Sequence, residues 1–274
     1  MIDSKRIIKE AGLDPNKALG QNFLVDEAAL DAICELACPD GQNVLEIGPG
    51  IGALTDKLAG SAMLVLAVEI DRNMVELLSK TLCEHENVRV IQSDFLRMKN
   101  SAILDVFGGE EFIVAANLPY YITSEAAMKL IDSELPIRRM VLMMQKEAAE
   151  HFIAAPRTKC YTPVSVISQR YYTVSLCMKL SPASYYPEPA VDSAVLLFER
   201  NGNAYDREFS KVVRTAFSMR RKTLKNNLMK IAPKETVPAM IESAQLLPSA
   251  RAEELSPDEF LRLTESVKRF SSAE

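Results

Sequence analysis

Short runs of apolar residues recur through the first two hundred positions of the chain and alternate with segments of a different period. Near-continuous apolar runs are typical of strands covered on both faces, as in a parallel sheet. Between them, Asp71–Cys83 and Thr123–Ser133 show the 3.6-residue period of amphipathic helices. This alternation predicts a parallel sheet with crossover helices. Its strands are expected at Asn43–Ile47, Ala62–Glu69, Val88–Gln92, Glu111–Ala116 and Ile137–Met144.

Two later strand-like segments, Thr173–Leu180 and Ala190–Glu199, are separated only by a proline-rich link. The link is too short for a crossover helix, so this pair is predicted to be antiparallel. A mostly parallel sheet with an antiparallel terminal pair resembles the Rossmann-like α/β fold of class I methyltransferases.

The pattern changes at Asn201-Gly202-Asn203, a turn-forming tripeptide that reads as a boundary. Beyond it, only helical periods follow, at Asp206–Phe217, Thr223–Ile231, Val237–Leu246 and Pro257–Phe270. We therefore expect an α/β domain over residues 1–202 and a small all-helical domain over residues 203–274.

Composition places the chain among globular proteins, with 48% hydrophobic and 25% charged residues. Met1–Gly20 lacks the apolar core of a secretory signal. The longest wholly apolar run, Ala62–Val68, is far shorter than the roughly 20 residues of a membrane span. The five cysteines form no CxxC pair and are interpreted as buried, reduced thiols, which favours a cytoplasmic protein without a metal site.

The first chemical motif is Glu46-Ile47-Gly48-Pro49-Gly50-Ile51-Gly52, between a predicted strand and a helix. Glycines allow a close approach of the backbone to a ligand, and helix N-terminal amides then face that ligand. The next strand ends at Glu69, where a carboxylate suits two ribose hydroxyls. Gly48, Gly50 and Ala53 also satisfy a loose dinucleotide fingerprint, so a nicotinamide enzyme stays open at this point.

The second motif, Ser93-Asp94-Phe95, follows the third predicted strand. Taken alone, Asp94 reads most often as a helix cap. In register with the glycine loop, it is expected to accept a hydrogen bond from an adenine amine while Phe95 stacks on the base.

The third motif, Asn117-Leu118-Pro119-Tyr120, comes directly after the fourth predicted strand, at the sheet edge where ligands bind. The nitrogen of an aromatic exocyclic amine is a poor nucleophile because its lone pair is delocalised into the ring. Asn117 Oδ1 and the Leu118 carbonyl, held by Pro119, would accept its two hydrogens and localise that lone pair. Tyr120 offers a face on which an extruded base can stack.

Taken together, the motifs resemble those of the small-subunit ribosomal RNA adenine N6,N6-dimethyltransferases, and the resemblance runs nearly end to end. It is carried by Leu19–Leu24, Glu46–Gly52, Glu69, Asp94, Asn117–Tyr120, Gln145–Glu147, Tyr186–Ser193 and Phe217–Leu228. The family usually has Phe where this chain has Tyr185, whose ring can still stack on the base opposite Tyr120.

The resemblance implies S-adenosylmethionine as methyl donor, consumed as a substrate, and no metal. Gln21, Asn22 and Leu24 would close over its methionine end, and Gly48 and Gly50 would border its methionine and ribose. The donor-binding residues are thus expected to be Gln21, Asn22, Leu24, Gly48, Gly50, Glu69, Asp94, Phe95 and Asn117. The residues expected to carry methyl transfer are Asn117, Leu118, Pro119, Tyr120 and Tyr185.

The implied target is two adjacent adenines near the 3′ end of 16S rRNA within the immature small ribosomal subunit, each methylated twice. We expect a monomer with no membrane partner. Two alternatives remain open. One is a 23S rRNA adenine methyltransferase of the macrolide-resistance type, and the other is a small-subunit assembly factor whose binding role outweighs catalysis.

A net charge of −5 argues at first against a nucleic-acid partner. The average hides one basic segment, because residues 207–230 carry eight basic side chains and one acidic side chain. Within it, a basic cluster interrupts the apolar period between two predicted helices, where it could reach phosphates. This cluster is the expected RNA anchor and consists of Arg220, Arg221, Lys222 and Lys225.

Overall fold

The computed structural model of the chain describes residues 6–8 and 21–271. Leu19 and Gly20, which begin one of the motifs, lie outside these residues, as does most of Met1–Gly20. Within the described residues, seven strands form one sheet in the order β4-β3-β2-β5-β6-β9-β7. These strands are β2 (Asn43–Ile47), β3 (Leu64–Glu69), β4 (Val88–Gln92), β5 (Phe112–Asn117), β6 (Ile137–Gln145), β7 (Tyr172–Leu180) and β9 (Ser193–Arg200).

Strand direction in the sheet follows the prediction. The neighbouring pairs β4–β3, β3–β2, β2–β5 and β5–β6 are all parallel. The two late strands β9 and β7 lie next to each other at one end, and β9 runs antiparallel to β6. The central strand β2 is buried along its whole length, as the apolar run indicated. The predicted Rossmann-like methyltransferase sheet is therefore confirmed.

Some of the helices begin at a residue whose side chain caps the first turn. Asp71 accepts a hydrogen bond from Asn73 N at 2.9 Å, and Asp206 caps a later helix in the same way. Both observed helices lie within the predicted ranges and are a few residues shorter. The helices are α1 (Glu27–Ala37), α2 (Ala53–Ala59), α3 (Arg72–Thr81), α4 (Asn100–Phe107), α5 (Thr123–Ile131), α6 (Lys146–Ile153), α7 (Pro163–Tyr171), α8 (Arg207–Ala216), α9 (Leu224–Leu228), α10 (Val237–Ser243) and α11 (Pro257–Ser271).

A small second sheet was not predicted. It pairs β1 (Phe23–Leu24) with β8 (Tyr185–Tyr186) in antiparallel register, so that Leu24 faces Tyr185. The two strands are far apart in sequence and only two residues long, which leaves no periodicity to detect. Their pairing ties the segment that begins at Gln21 to the proline-rich link.

The chain divides into two compact units. The first contains the described residues up to Leu130 together with Glu134–Ala149 and Val174–Arg200, and it holds the sheet. The second contains Ile131–Ser133, Glu150–Thr173 and the described residues from Asn201 onward. The single boundary after residue 202 stays a prediction. The observed grouping differs from it, because Glu150–Thr173 belongs to the helical unit.

The helical unit has its own core and its own cross-links. Phe209 and Phe260 are fully buried in it. Tyr161 donates a hydrogen bond to the Leu255 carbonyl at 2.7 Å, and Lys268 forms an ion pair with Asp206 at 2.7 Å. Glu150–Thr173 is thereby joined to the C-terminal helices across about ninety positions of sequence.

Three sequence expectations concern the cysteines, metal binding and membrane spans. The interpretation of the cysteines as buried thiols was wrong, because Cys38, Cys83 and Cys177 are exposed and Cys34 and Cys160 are half-buried. Among the described residues, no three His, Cys, Asp or Glu side chains gather in a way that could hold a metal ion. None of the helices in this part of the chain combines the length and apolarity of a membrane-spanning segment.

Candidate active site

The carboxyl ends of four neighbouring parallel strands bring the three predicted motifs to one edge of the sheet. Strand β2 ends at the glycine loop, β3 at Glu69, β4 just before Asp94, and β5 at Asn117. Because these strands are adjacent and parallel, residues that are distant in sequence become neighbours there.

Glu69 links the glycine loop to the next helix. Its Oε1 accepts from Asp71 N at 2.9 Å, and its Oε2 accepts from Gly50 N at 3.4 Å. Burial raises the pKa of this carboxyl, while the backbone N–H groups of Asp71 and Gly50 oppose that shift. Gln21 donates to Asp71 Oδ2 at 2.9 Å, which joins the N-terminal segment to the same network.

Gly50 has a structural reason to be glycine. Its φ is +57°, in the left-handed region, and a Cβ there would lie 2.9 Å from Cδ1 of Phe23. The loop therefore runs against the β1 segment without a side chain between them.

Asp94 begins a tight turn and also faces the site. Its Oδ1 accepts from Leu96 N at 2.9 Å, and its Oδ2 lies 3.3 Å from Nε of Arg97. Oδ1 therefore caps a turn and not a helix, because the next helix begins at Asn100 with Lys99 at its N-cap. Each carboxylate oxygen has two lone pairs, so acceptor capacity remains for a ligand amine.

The Asn117 side chain is held in one orientation. Its Nδ2 donates to the Asn22 carbonyl at 3.1 Å, so the amide nitrogen is directed to the protein backbone. Oδ1 is the amide atom left to act as an acceptor toward a substrate amine. The Tyr120 hydroxyl lies 3.0 Å from the Ser193 hydroxyl, which fixes the aromatic residue of the same motif.

One cavity joins these groups, with about 990 Å³ of empty space including the part open to solvent. Most of the predicted site residues line it. They are Gln21, Asn22, Leu24, Gly48, Gly50, Glu69, Asp94, Phe95, Asn117, Leu118, Pro119 and Tyr120.

Tyr185 is the exception among the residues predicted for methyl transfer. It does not line the cavity and is 3% exposed, and its hydroxyl donates to Met143 Sδ at 3.0 Å. Burial raises the pKa of its phenol strongly. Stacking of Tyr185 on a target base therefore stays a prediction, and it would require the ring to leave this position.

Glu46 is a lining residue to which sequence analysis gave no role. It is 2% exposed, and burial raises the pKa of its carboxyl to about 8. Thr55 opposes this shift, yet Glu46 Oε2 and Thr55 Oγ1 are both buried without a hydrogen bond of ordinary geometry to any described residue. The signal in the sequence was an acidic residue inside the otherwise apolar strand Asn43–Ile47.

Comparison with known proteins decides the family. Residues 12–269 match the protein family described as ribosomal RNA adenine dimethylase. The chain belongs to the ribosomal RNA adenine dimethylase family. It is therefore an enzyme of the dimethylase family, and the cavity at its sheet edge is the candidate active site.

Relatives of this dimethylase cover nearly its whole length. The ribosomal RNA small subunit methyltransferase A of Bacillus pumilus (strain SAFR-032) is 38% identical over 281 residues, covering 98% of this chain and 96% of the relative. The protein of the same name from Streptococcus sanguinis (strain SK36) is 40% identical over 278 residues, covering 97% and 96% respectively.

Solved structures of similar fold include a transferase and a methyltransferase. A dimethyladenosine transferase from Plasmodium falciparum has a TM-score of 0.77 and 25% identity, over 91% of this chain and 98% of that one. The 23S rRNA methyltransferase ErmE has a TM-score of 0.66 and 27% identity, over 90% and 100% respectively. Both resemble the dimethylase through most of its length.

The basic cluster lies on the surface of the helical unit of this dimethylase. Arg220, Arg221 and Lys222 fall in the turn between α8 and α9, and Lys225 lies on α9; all four are exposed. Arg220 is tied down by Glu253 at 3.3 Å and by the Lys159 carbonyl at 2.9 Å. The predicted interruption of the helical pattern is confirmed, while the role of the cluster in RNA binding stays a prediction.

Proposed function

We propose that this dimethylase transfers methyl groups from S-adenosylmethionine to N6 of two adjacent adenines near the 3′ end of 16S rRNA, each twice. The observation that carries the proposal is the hydrogen bond from Asn117 Nδ2 to the Asn22 carbonyl. It leaves Oδ1 as an acceptor at the sheet edge, which is the polarity an exocyclic amine requires. The full-length relatives named for the small subunit favour 16S rRNA over 23S rRNA.

The cavity fits the methyl donor at several points. Glu69 suits the ribose hydroxyls, and Asp94 with Phe95 suits an adenine ring with its amine. The buried Glu46 Oε2 lacks a hydrogen-bond partner among the described residues, and a ligand ammonium would satisfy it. When bound, the donor supplies an electrophilic methyl group.

The protein contributes position and hydrogen-bond acceptors. Asn117 Oδ1 and the Leu118 carbonyl take the two amine hydrogens and direct the nitrogen lone pair away from the ring. Tyr120, fixed by Ser193, presents an aromatic face to the extruded base. No strong general base is needed, because the methylated ammonium is acidic and loses its proton readily. Catalysis is then mainly orientation and electrostatics.

The protein binds its target within the immature small subunit, where the basic cluster of the helical unit contacts phosphates. An acidic chain with one concentrated basic segment binds RNA locally and has little general affinity for polyanions. We further propose that the protein acts as a cytoplasmic monomer.

Methylation of unmethylated small subunits tests the proposal. Purified protein and S-adenosylmethionine are incubated with them, and rRNA nucleosides are analysed by mass spectrometry. We expect N6,N6-dimethyladenosine in 16S rRNA, its loss in Asn117→Ala, and its retention in the exposed control Asn73→Ala. Absence of the product with the unmodified chain, or its appearance only in 23S rRNA, contradicts the proposal. A chain that binds subunits tightly without methylating them would support the assembly-factor alternative.

A further inference from the structure

Lys129 makes an unusual set of contacts close to the candidate active site. It lies on α5, and its Nζ donates to the Phe95 carbonyl at 2.5 Å, to the Leu96 carbonyl at 3.2 Å and to the Met98 carbonyl. Nζ also lies 4.7 Å from the centroid of the Phe95 ring. One ammonium thus gathers three backbone carbonyls and an aromatic face of a single loop.

The number of donors matches the number of acceptors. An ammonium has three N–H groups, and three carbonyls take them. Burial lowers the pKa of Lys129, while the charge of Asp94 opposes that shift. A cation over an aromatic face adds further attraction. Methionine at this position would leave three loop carbonyls without that donor.

The loop that Lys129 holds is the one that presents Asp94 and Phe95 to the cavity. Lys129 itself does not line the cavity. Its helix starts directly after the catalytic motif, where Thr123 Oγ1 donates to the Pro119 carbonyl at 3.1 Å. One end of α5 is therefore anchored at the methyl-transfer motif, and the other end is anchored at the Asp94–Met98 turn.

We infer that Lys129 is a positioning residue that fixes the adenine-recognising loop and sets its distance from Asn117. The inference rests on the proposed function, because it needs Asp94 and Phe95 to bind the donor adenine. Because Lys129 does not line the cavity, it would act on the donor through this loop. Lys129 would thereby determine selectivity for the adenine amine, because Asp94 cannot accept a hydrogen bond from that amine when the loop is displaced.

Calorimetry with two product analogues tests this role. S-adenosylhomocysteine carries the adenine amine, and S-inosylhomocysteine carries a carbonyl in its place. The unmodified chain should prefer the adenine form. In Lys129→Met, we expect about ten-fold weaker binding of S-adenosylhomocysteine. The affinity for S-inosylhomocysteine should change little, so the ratio of the two affinities should fall toward one. The donor KM in methylation should rise by a similar factor with kcat nearly unchanged.

The exposed Lys80 on α3 supplies the matched control, and Lys80→Met should keep both affinities. A folded Lys129→Met protein with unchanged preference overturns the inference, as does an equal loss for the two analogues, which indicates a merely structural role. If Lys129→Met does not fold, Lys129→Arg serves in its place, because a guanidinium keeps the charge but cannot converge on three carbonyls. Absence of any preference in the unmodified chain would instead contradict the assignment of Asp94 in the proposed function.

Discussion

Glu46 should make the stability of the protein depend on pH in a direction opposite to that of a typical surface carboxylate. Its pKa rises from an ordinary 4.5 to about 8 because the side chain is buried, with a smaller contribution from Glu69. The raised value favours the protonated carboxyl in the folded chain. Its contribution to stability is therefore complete below about pH 4.5 and is lost as the pH rises through about 8.

The magnitude follows from these two values. The difference between the two pKa values corresponds to about 5 kcal/mol of stability at a pH where Glu46 is ionised in both the folded and the unfolded chain. Linkage places about 3 kcal/mol of that loss between pH 5.5 and pH 8.5. Glu46→Gln removes the ionisation but keeps the size of the side chain. The stability of this variant relative to the unmodified chain should thus increase by about 3 kcal/mol between these pH values.

Thermal and urea unfolding at pH 5.5, 7.0 and 8.5, without donor, measure the difference. For a unit of this size, about 3 kcal/mol corresponds to roughly 6–12 °C in Tm. The fixed cost of introducing an amide cancels, because only the change with pH is compared. Glu84→Gln, at an exposed carboxyl, is the control and should show no such divergence. Parallel pH profiles for Glu46→Gln and the unmodified chain would refute the reasoning and show that Glu46 is ionised or hydrated in the folded protein.

Three further substitutions probe other parts of the site. Gly50→Ala places a Cβ against Phe23 at a positive φ, so unfolding should show a loss of about 1–2 kcal/mol, and calorimetry should show weaker S-adenosylhomocysteine binding. Ser193→Ala removes the partner of the Tyr120 hydroxyl; kcat should fall about five-fold with the donor KM unchanged, as measured by methyl incorporation. Arg221→Glu should weaken binding to small subunits and leave donor affinity unaffected. The slope of log affinity against log salt concentration should become shallower by about one.

A specific outcome would contradict each of these three predictions. Full stability and donor affinity in Gly50→Ala would mean that the loop relaxes away from β1 without cost. A normal kcat in Ser193→Ala would show that the Tyr120 ring is held by other contacts. An unchanged salt dependence in Arg221→Glu, equal to that of the control Lys80→Glu, would place the RNA contact elsewhere.

Much of the site could be predicted because its chemistry is local in sequence. Glu69, Asp94 and Asn117 each follow an apolar strand, and parallel neighbours place such positions at one edge. The same reasoning predicted the direction of the strands but not their order in the sheet. It located the late pair of strands without showing that β9 would lie directly beside β6.

The features that sequence analysis missed depend on long-range packing. The burial of Tyr185 against Met143 was not anticipated, and stacking of its ring on a substrate base stays a prediction. The half-buried or exposed cysteines show that residue type alone does not decide exposure. Glu150–Thr173 joins the helical unit through contacts such as that of Tyr161 with Leu255, which no local period reveals.

Under the proposed function, the hydrogen bond between Asn117 and Asn22 would also select nucleobases by the polarity of their exocyclic group. One of the two Asn117 N–H groups donates to the Asn22 carbonyl, so turning the amide to present Nδ2 to a base carbonyl would break that hydrogen bond. Guanine and uracil carry an oxygen acceptor where adenine carries its amine. That oxygen would face Asn117 Oδ1, which is also an acceptor, and no hydrogen bond could form. Cytosine also has an exocyclic amine, so this hydrogen bond alone would not exclude it. The Asn22 carbonyl would thereby contribute to the choice of base through the backbone of the N-terminal segment.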